Sequence, residues 1–95
     1  MLTIEMNENG HIVLAGRFDA SQVAKAKGVF EQLNTSVTVD FRDLEYISSA
    51  GLGVLLFTQK KLRETGGGLK LINMNGHIKD VFRYAGFNTI FEIVE

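Results

Sequence analysis

The chain has 95 residues, 45% hydrophobic and 22% charged, with a formal net charge of −1 and no cysteine. That length suits one domain, 1–95, with a small core, and the dispersed charge argues against DNA or RNA as a partner. Cysteine chemistry is excluded outright; the longest apolar run, Val54 to Phe57, is too short to cross a bilayer, and Met1 to Glu5 lacks the features of a signal peptide, so a cytoplasmic protein with no membrane partner is expected.

In chain order, Leu2 to Met6 reads as a strand, Asn7-Glu8-Asn9-Gly10 as a turn and His11 to Arg17 as a second strand, together a β-hairpin. Ile12 and Leu14 lie on one face and Val13 and Ala15 on the other, the pattern of an interior strand. Asp19 is placed to cap a first helix, with Gln22 reaching back in a capping box, and Val23, Ala26, Phe30 and Leu33 follow at helical spacing. Nothing in the sequence accounts for Gly28 within that helix. Val37 to Phe41 reads as a third strand, after which a loop is expected to run to Ile47.

A second helix follows, with Leu52, Leu55, Leu56 and Leu62 on one face and Lys60, Lys61, Arg63 and Glu64 on the other, stopped by Gly66-Gly67-Gly68. Leu69 to Ile72 is the fourth strand. Asn75-Gly76 opens a third helix with Ile78, Val81, Phe82 and Ala85 inward, Gly86 ends it, and Thr89 to Val94 is a last strand. Strands joined through helices pair in parallel by right-handed crossovers. The expected fold is therefore α/β: a mixed, mostly parallel sheet of about five strands with an N-terminal hairpin, and three helices.

The chemistry concentrates between Asp40 and Gly53, where a strand end leads into a helix start, the position at which α/β folds place their sites. Ser49 is the expected N-cap, accepting from the amide near Leu52. A capping role alone does not account for Gly51 and Gly53, each of which lowers helix stability by ~1 kcal/mol. Together with Ala50 they clear bulk around Ser49, as close approach by another molecule requires. A phosphate on Ser49 would add roughly −1.5 to −2 charges. Free amides and the helix dipole favour that charge, so the fold tolerates it while a docked partner does not.

The run Asp40-Phe41-Arg42-Asp43-Leu44-Glu45-Tyr46-Ile47-Ser48-Ser49-Ala50-Gly51-Leu52-Gly53-Val54-Leu55 resembles the signature of STAS domains, especially bacterial anti-sigma factor antagonists. Gly16-Arg17-Phe18-Asp19 is similar to the family's Gly-x-Leu-Asp turn, Gly66-Gly67-Gly68-Leu69 to the Gly-Gly before its fourth strand, and Ile78 to Phe87 to its third helix. The resemblance implies a non-enzymatic partner switch. The unmodified antagonist binds an anti-sigma factor that is also a serine kinase of the histidine-kinase-like ATPase fold. Phosphorylation of the loop serine, here Ser49, separates the complex, and a metal-dependent serine phosphatase restores the binding form. Asp19, Ser48, Ala50, Gly51 and Leu52 align with positions around the docking surface. Many members have Asp where this chain has Ser48, so Ser48 is the second candidate for the phosphate. Longer members carry a C-terminal helix after the last strand, which this chain is expected to lack. The alternative is a constitutive STAS interaction module of a transport, secretion or stress-sensing assembly, in which Ser49 only caps.

Other chemistries find less support. Ile47-Ser48-Ser49-Ala50-Gly51 lacks the first glycine of a nucleophile elbow, and no acid–histidine pair accompanies it. Gly51-Leu52-Gly53 has Leu56 where a dinucleotide fingerprint needs its third glycine, and Gly66-Gly67-Gly68 lacks the Lys-Ser/Thr of a phosphate loop. His11 and His77 have no metal-ligand spacing. Asp43 and Glu45 are expected in solvent and Asp40 to orient the Ser49 loop, while Tyr46, Phe87 and Phe91 read as core or rim; no cofactor or metal is expected.

Overall fold

A computed structural model describes residues 1–94. Its strands are β1 (Leu2–Met6), β2 (Ile12–Phe18), β3 (Val37–Ile47), β4 (Leu69–Ile72) and β5 (Glu92–Ile93), and its helices α1 (Val23–Phe30), α2 (Ser49–Arg63) and α3 (Gly76–Tyr84). The five strands form one sheet in sequence order, β1 antiparallel to β2 and the rest parallel. When every right-handed crossover steps the same way, all the connecting helices fall on one face of the sheet. Burial follows that rule. Ile12, Leu14, Val39, Phe41, Leu69 and Leu71 are buried beneath the helices, whereas Glu5, Arg17, Lys70 and Glu92 are exposed and Val13, Ala15 and Thr38 half-buried.

The helices contribute Ala26, Phe30, Leu52, Val54, Leu55, Leu62, Ile78 and Phe82 to the core. Phe82 sits edge-on between Phe41 of β3, at 5.9 Å between ring centroids, and Phe91 at 5.7 Å. Leu56 is only half-buried, and Ala85 is exposed because α3 ends before it. Thr58 and Gln59, polar in sequence, are instead buried on the inner side of α2. Gln59 accepts from Leu69 N at 2.7 Å and donates to Ile90 O at 2.8 Å, tying α2 to the start of β4 and to the segment before β5.

Two elements depart from the sequence pattern. The expected loop after Phe41 is extended strand: β3 runs on to Ile47, paired to β2 through Gly16↔Leu44, Arg17↔Tyr46 and Phe18↔Ile47. Register shifts between Val13 and Ala15 and between Gly16 and Arg17 insert extra β3 residues, so Phe41, Leu44 and Ile47 all turn inward despite their spacing. At the other end, β5 has only Glu92 and Ile93 instead of Thr89 to Val94. Ile90 N closes a turn onto Phe87 O and Ile90 O is taken by Gln59, so neither group is free for a ladder.

Candidate functional site

Parallel pairing of Phe18 with Ile47 brings the ends of β2 and β3 together, and the chain leaves them as Asp19 and Ser48. Ser48 N donates to Phe18 O at 2.9 Å. The Ser48 hydroxyl donates to the same carbonyl at 3.1 Å and accepts from Gly51 N at 3.1 Å. Ser48 is therefore the N-cap of α2, with extended backbone at φ −88° and ψ 169°. The sequence pattern points to Ser49 as the cap; the cap lies one residue earlier because the sheet holds the chain extended up to Ile47 and helical geometry starts at Ser49.

That shift separates the roles of the two serines. Ser48 is half-buried, with both hydrogen-bonding capacities of its hydroxyl in use. Ser49, first residue of the helix, is exposed, and its hydroxyl has no partner among the described residues. The amides of Ser49 and Ala50 precede the first intrahelical bond, which Leu52 N makes to Ser48 O at 2.9 Å, and Gly51 N is taken by the cap. Two donors at the positive end of the helix dipole thus face solvent beside a free hydroxyl.

The other candidate positions divide between surface and interior. Ala50 is exposed, whereas Gly51 and Leu52 are buried and lie under the surface instead of on it. A Cβ on Gly51 would lie 3.0 Å from Phe18 O, Phe18 Cδ1 and Ile47 Cγ1, so this glycine lets α2 rest on the ends of β2 and β3. Gly53 is different: it is exposed, and a Cβ there would meet nothing within 4 Å. Packing inside the molecule explains Gly51 and leaves Gly53 unexplained.

Asp19 caps a 3-10 turn (Ala20–Gln22) that precedes α1, its Oδ1 accepting from Ser21 N at 3.0 Å and from Ser21 Oγ at 2.5 Å. The Ser21 hydroxyl, with help from the Ser21 amide, holds the Asp19 carboxyl below the ordinary carboxylate range, so it is charged at neutral pH. Gln22 does not close a capping box. Its Oε1 accepts from Leu2 N at 3.2 Å, and Lys25 Nζ donates to Leu2 O at 2.5 Å, which blocks part of the free edge of β1. Asp40 does not reach the Ser49 loop either. It accepts from Arg42 N at 2.9 Å and from Asn73 Nδ2 at 3.0 Å, fixing the turn after β4, where Asn73 has a φ of 58°. Below the site, on the open face of the sheet, Arg17 stacks over Tyr46 at 4.4 Å. Among the described residues no group of His, Cys, Asp and Glu is placed to hold a metal ion, and no helix is long and apolar enough to cross a membrane.

The family model described as "Mlab, STAS domain" matches residues 2–95. The chain is a STAS domain of the anti-sigma factor antagonist family. The anti-sigma-B factor antagonist of Bacillus subtilis is 30% identical over 94 residues, covering 95% of this chain and 86% of that one. BtrV of Bordetella bronchiseptica is 44% identical over 57 residues, or 60% of this chain and 49% of its own. The BtrV match thus spans about half of that relative. Solved structures of the anti-sigma factor antagonist SpoIIAA superpose over 100% of this STAS domain: the unphosphorylated form with a TM-score of 0.72 at 19% identity and 88% coverage of that chain, the phosphorylated form of the Bacillus protein with 0.70 at 20% and 92%. At that identity they establish the fold.

The hydrogen bonds make the two serines of this STAS domain unequal in stability. Ser48→Ala removes the cap and the hydroxyl tie to Phe18 and should lower unfolding free energy by about 1–2 kcal/mol. Ser49→Ala should stay within about 0.5 kcal/mol of the parent, as surface substitutions do. Urea unfolding of the two variants measures the difference; equal losses would place the cap elsewhere.

Proposed function

We propose that this STAS domain is a non-catalytic anti-sigma factor antagonist that works by partner switching. Unmodified, it binds an anti-sigma factor that is also a serine kinase of the histidine-kinase-like ATPase fold, and so releases the sigma factor. The kinase phosphorylates Ser49, the complex separates, and a metal-dependent serine phosphatase resets the switch. All of this belongs in the cytoplasm, where the kinase finds ATP. Asp19, Ser48, Ser49 and Ala50 would form or frame the contact, with Gly51 and Leu52 supporting it from beneath.

One observation carries this reading: the exposed, unbonded hydroxyl of Ser49 beside the free amides of Ser49 and Ala50. A hydroxyl without structural duty can be modified at no cost to the fold, and the helix start accepts the resulting phosphate. Ser48 is a poor acceptor by the same logic, because a phosphate there would remove the proton it donates to Phe18 O and force a dianion into a half-buried position beside that carbonyl. The likeness to the anti-sigma-B factor antagonist of Bacillus subtilis supports the partner class.

Incubation with the purified anti-sigma kinase and ATP tests the assignment. One phosphate should enter the wild-type chain and Ser48→Ala, and none Ser49→Ala, as read by intact-mass spectrometry. Labelling that survives in Ser49→Ala but not Ser48→Ala would move the site to Ser48. An anti-sigma complex that forms while the wild-type chain stays unlabelled would favour a constitutive interaction module.

A further inference from the structure

Helices α1 and α2 enclose an apolar groove of about 360 Å³ that starts beside the candidate phosphorylation site and runs down the molecule. Val23 and Phe30 of α1 and Ala50, Gly53, Val54 and Phe57 of α2 line it. Phe57 is 63% exposed, although single exposed apolar side chains are ordinary. What sets this one apart is its setting. On α2, Ala50, Gly53 and Phe57 recur at helical spacing on the outer side, so a small–small–aromatic stripe leads from the Ser49 turn into the groove. Gly53, at its centre, has open space where a Cβ would stand, so a longer side chain would fill the groove without disturbing the fold.

Charge identifies the occupant. Within α1 and α2 stand Lys25, Lys27, Lys60, Lys61 and Arg63 and no acidic residue, in a chain whose net charge is −1. Glu31, at the foot of the groove, and Glu64 lie just beyond the helix ends. Lys25 and Lys61 are spent on backbone carbonyls, Leu2 O and Glu31 O. Lys27, on the groove wall, and Lys60, one turn beyond Phe57, are exposed and have no ion-pair partner among the described residues. An apolar cleft with the free ammonium of Lys27 on its wall and that of Lys60 just beyond it, opposed only by Glu31 at its foot, complements a segment that offers a large apolar side chain with carboxylates placed toward the two lysines.

We propose that the α1–α2 groove docks an acidic, apolar-faced segment of the anti-sigma factor, its large side chain between Phe30 and Phe57 and its carboxylates facing Lys27 and Lys60. This rests on the partner-switching reading and deepens it. Ser49 lies at the head of the same helix face, so a phosphate there meets the acidic segment with like charge. The switch then needs no movement in the antagonist.

Titration calorimetry with the purified anti-sigma factor tests the groove, using Gly53→Gln, Phe57→Ala and the pair Lys27→Glu/Lys60→Glu, each first shown by thermal melting to be folded. Gly53→Gln and Phe57→Ala should each weaken binding at least tenfold, and Gly53→Gln should melt no lower than wild type. The lysine pair should weaken binding at least tenfold in low salt and less in high salt. Binding within twofold of wild type for Gly53→Gln and Phe57→Ala would overturn the groove, and tighter binding by the glutamate pair would overturn the acidic partner. If those variants bind normally while phosphorylation of Ser49 still releases the partner, the groove fails and the switch stands. If they lose binding while the Ser49-phosphorylated chain binds like wild type, the groove stands and the switch fails. Absence of any complex with the wild-type chain overturns both.

Discussion

Phosphorylation of Ser49 should raise the stability of the free protein slightly while weakening the anti-sigma complex at least 100-fold. The two effects have opposite signs because they arise on opposite sides of one hydroxyl. Inward, the amides of Ser49 and Ala50 and the N-terminal dipole of α2 receive a dianion, an interaction of about 0.3–1 kcal/mol for a charge at an exposed helix start. Outward, the same dianion must be desolvated or pressed against the partner, and like-charge juxtaposition at an interface costs several kcal/mol, of which roughly 3 kcal/mol suffices for 100-fold. Ser49→Asp carries one charge on a shorter arm and should give a smaller shift of the same kind, about tenfold. Calorimetry of the complex and thermal melting of the free chain, both with the enzymatically phosphorylated protein, measure the two quantities. A melting point that falls together with affinity would mean that release comes from damage to the helix start, and the switch would lose its physical basis.

This division of labour between adjacent serines was not visible in the sequence, and the reason is geometric. Ser-Ser before Ala-Gly-Leu-Gly announces a capped helix, but which serine caps depends on how far β3 stays extended. That extent is set by pairing to β2 across two register shifts, a long-range fact. The apolar positions Val39, Phe41, Leu44 and Ile47 break strand periodicity, so a local pattern reads the second half of β3 as loop. Elements whose signals are local were legible: β1, β4 and the start of α3 at Asn75-Gly76, where the structure adds that the Asn75 side chain accepts from Ile78 N at 2.9 Å, lie where turn chemistry and hydrophobic spacing put them. The backbone carbonyl of Phe18, which receives both Ser48 bonds, carries no sequence signal at all. Gln59 is a similar case, since a glutamine on a helix reads as surface until its two backbone partners are brought to it. Asp40 was legible as a residue with a structural task but not as to which loop it holds, because Asn73 reaches it only through the pairing of β3 with β4.

Gly16→Ala should be the most damaging single-methyl addition near the site, lowering stability by about 2–4 kcal/mol through backbone strain and a lost hydrogen bond. Gly16 has a φ of 93°, a region L side chains rarely adopt, and a Cβ there would lie 2.2 Å from Met1 O. That carbonyl is already engaged, accepting from Arg17 N at 2.9 Å, so relief by moving Met1 aside breaks the first link of the β1–β2 hairpin. Relief by relaxing φ instead disturbs the register shift between Gly16 and Arg17, which turns Phe18 inward against Ile47 and delivers its carbonyl to Ser48. The glycine of the Gly-Arg-Phe-Asp turn therefore acts on the Ser48–Ser49 helix start from the neighbouring strand, and its replacement should cost the proposed binding as well as stability. Urea unfolding of Gly16→Ala gives the first quantity. The second follows from anti-sigma affinity measured well below the variant's melting point, where a reduction should persist even with the chain fully folded. Wild-type affinity under those conditions would show that the helix start keeps its place without the bulge, and that Gly16 serves only the hairpin.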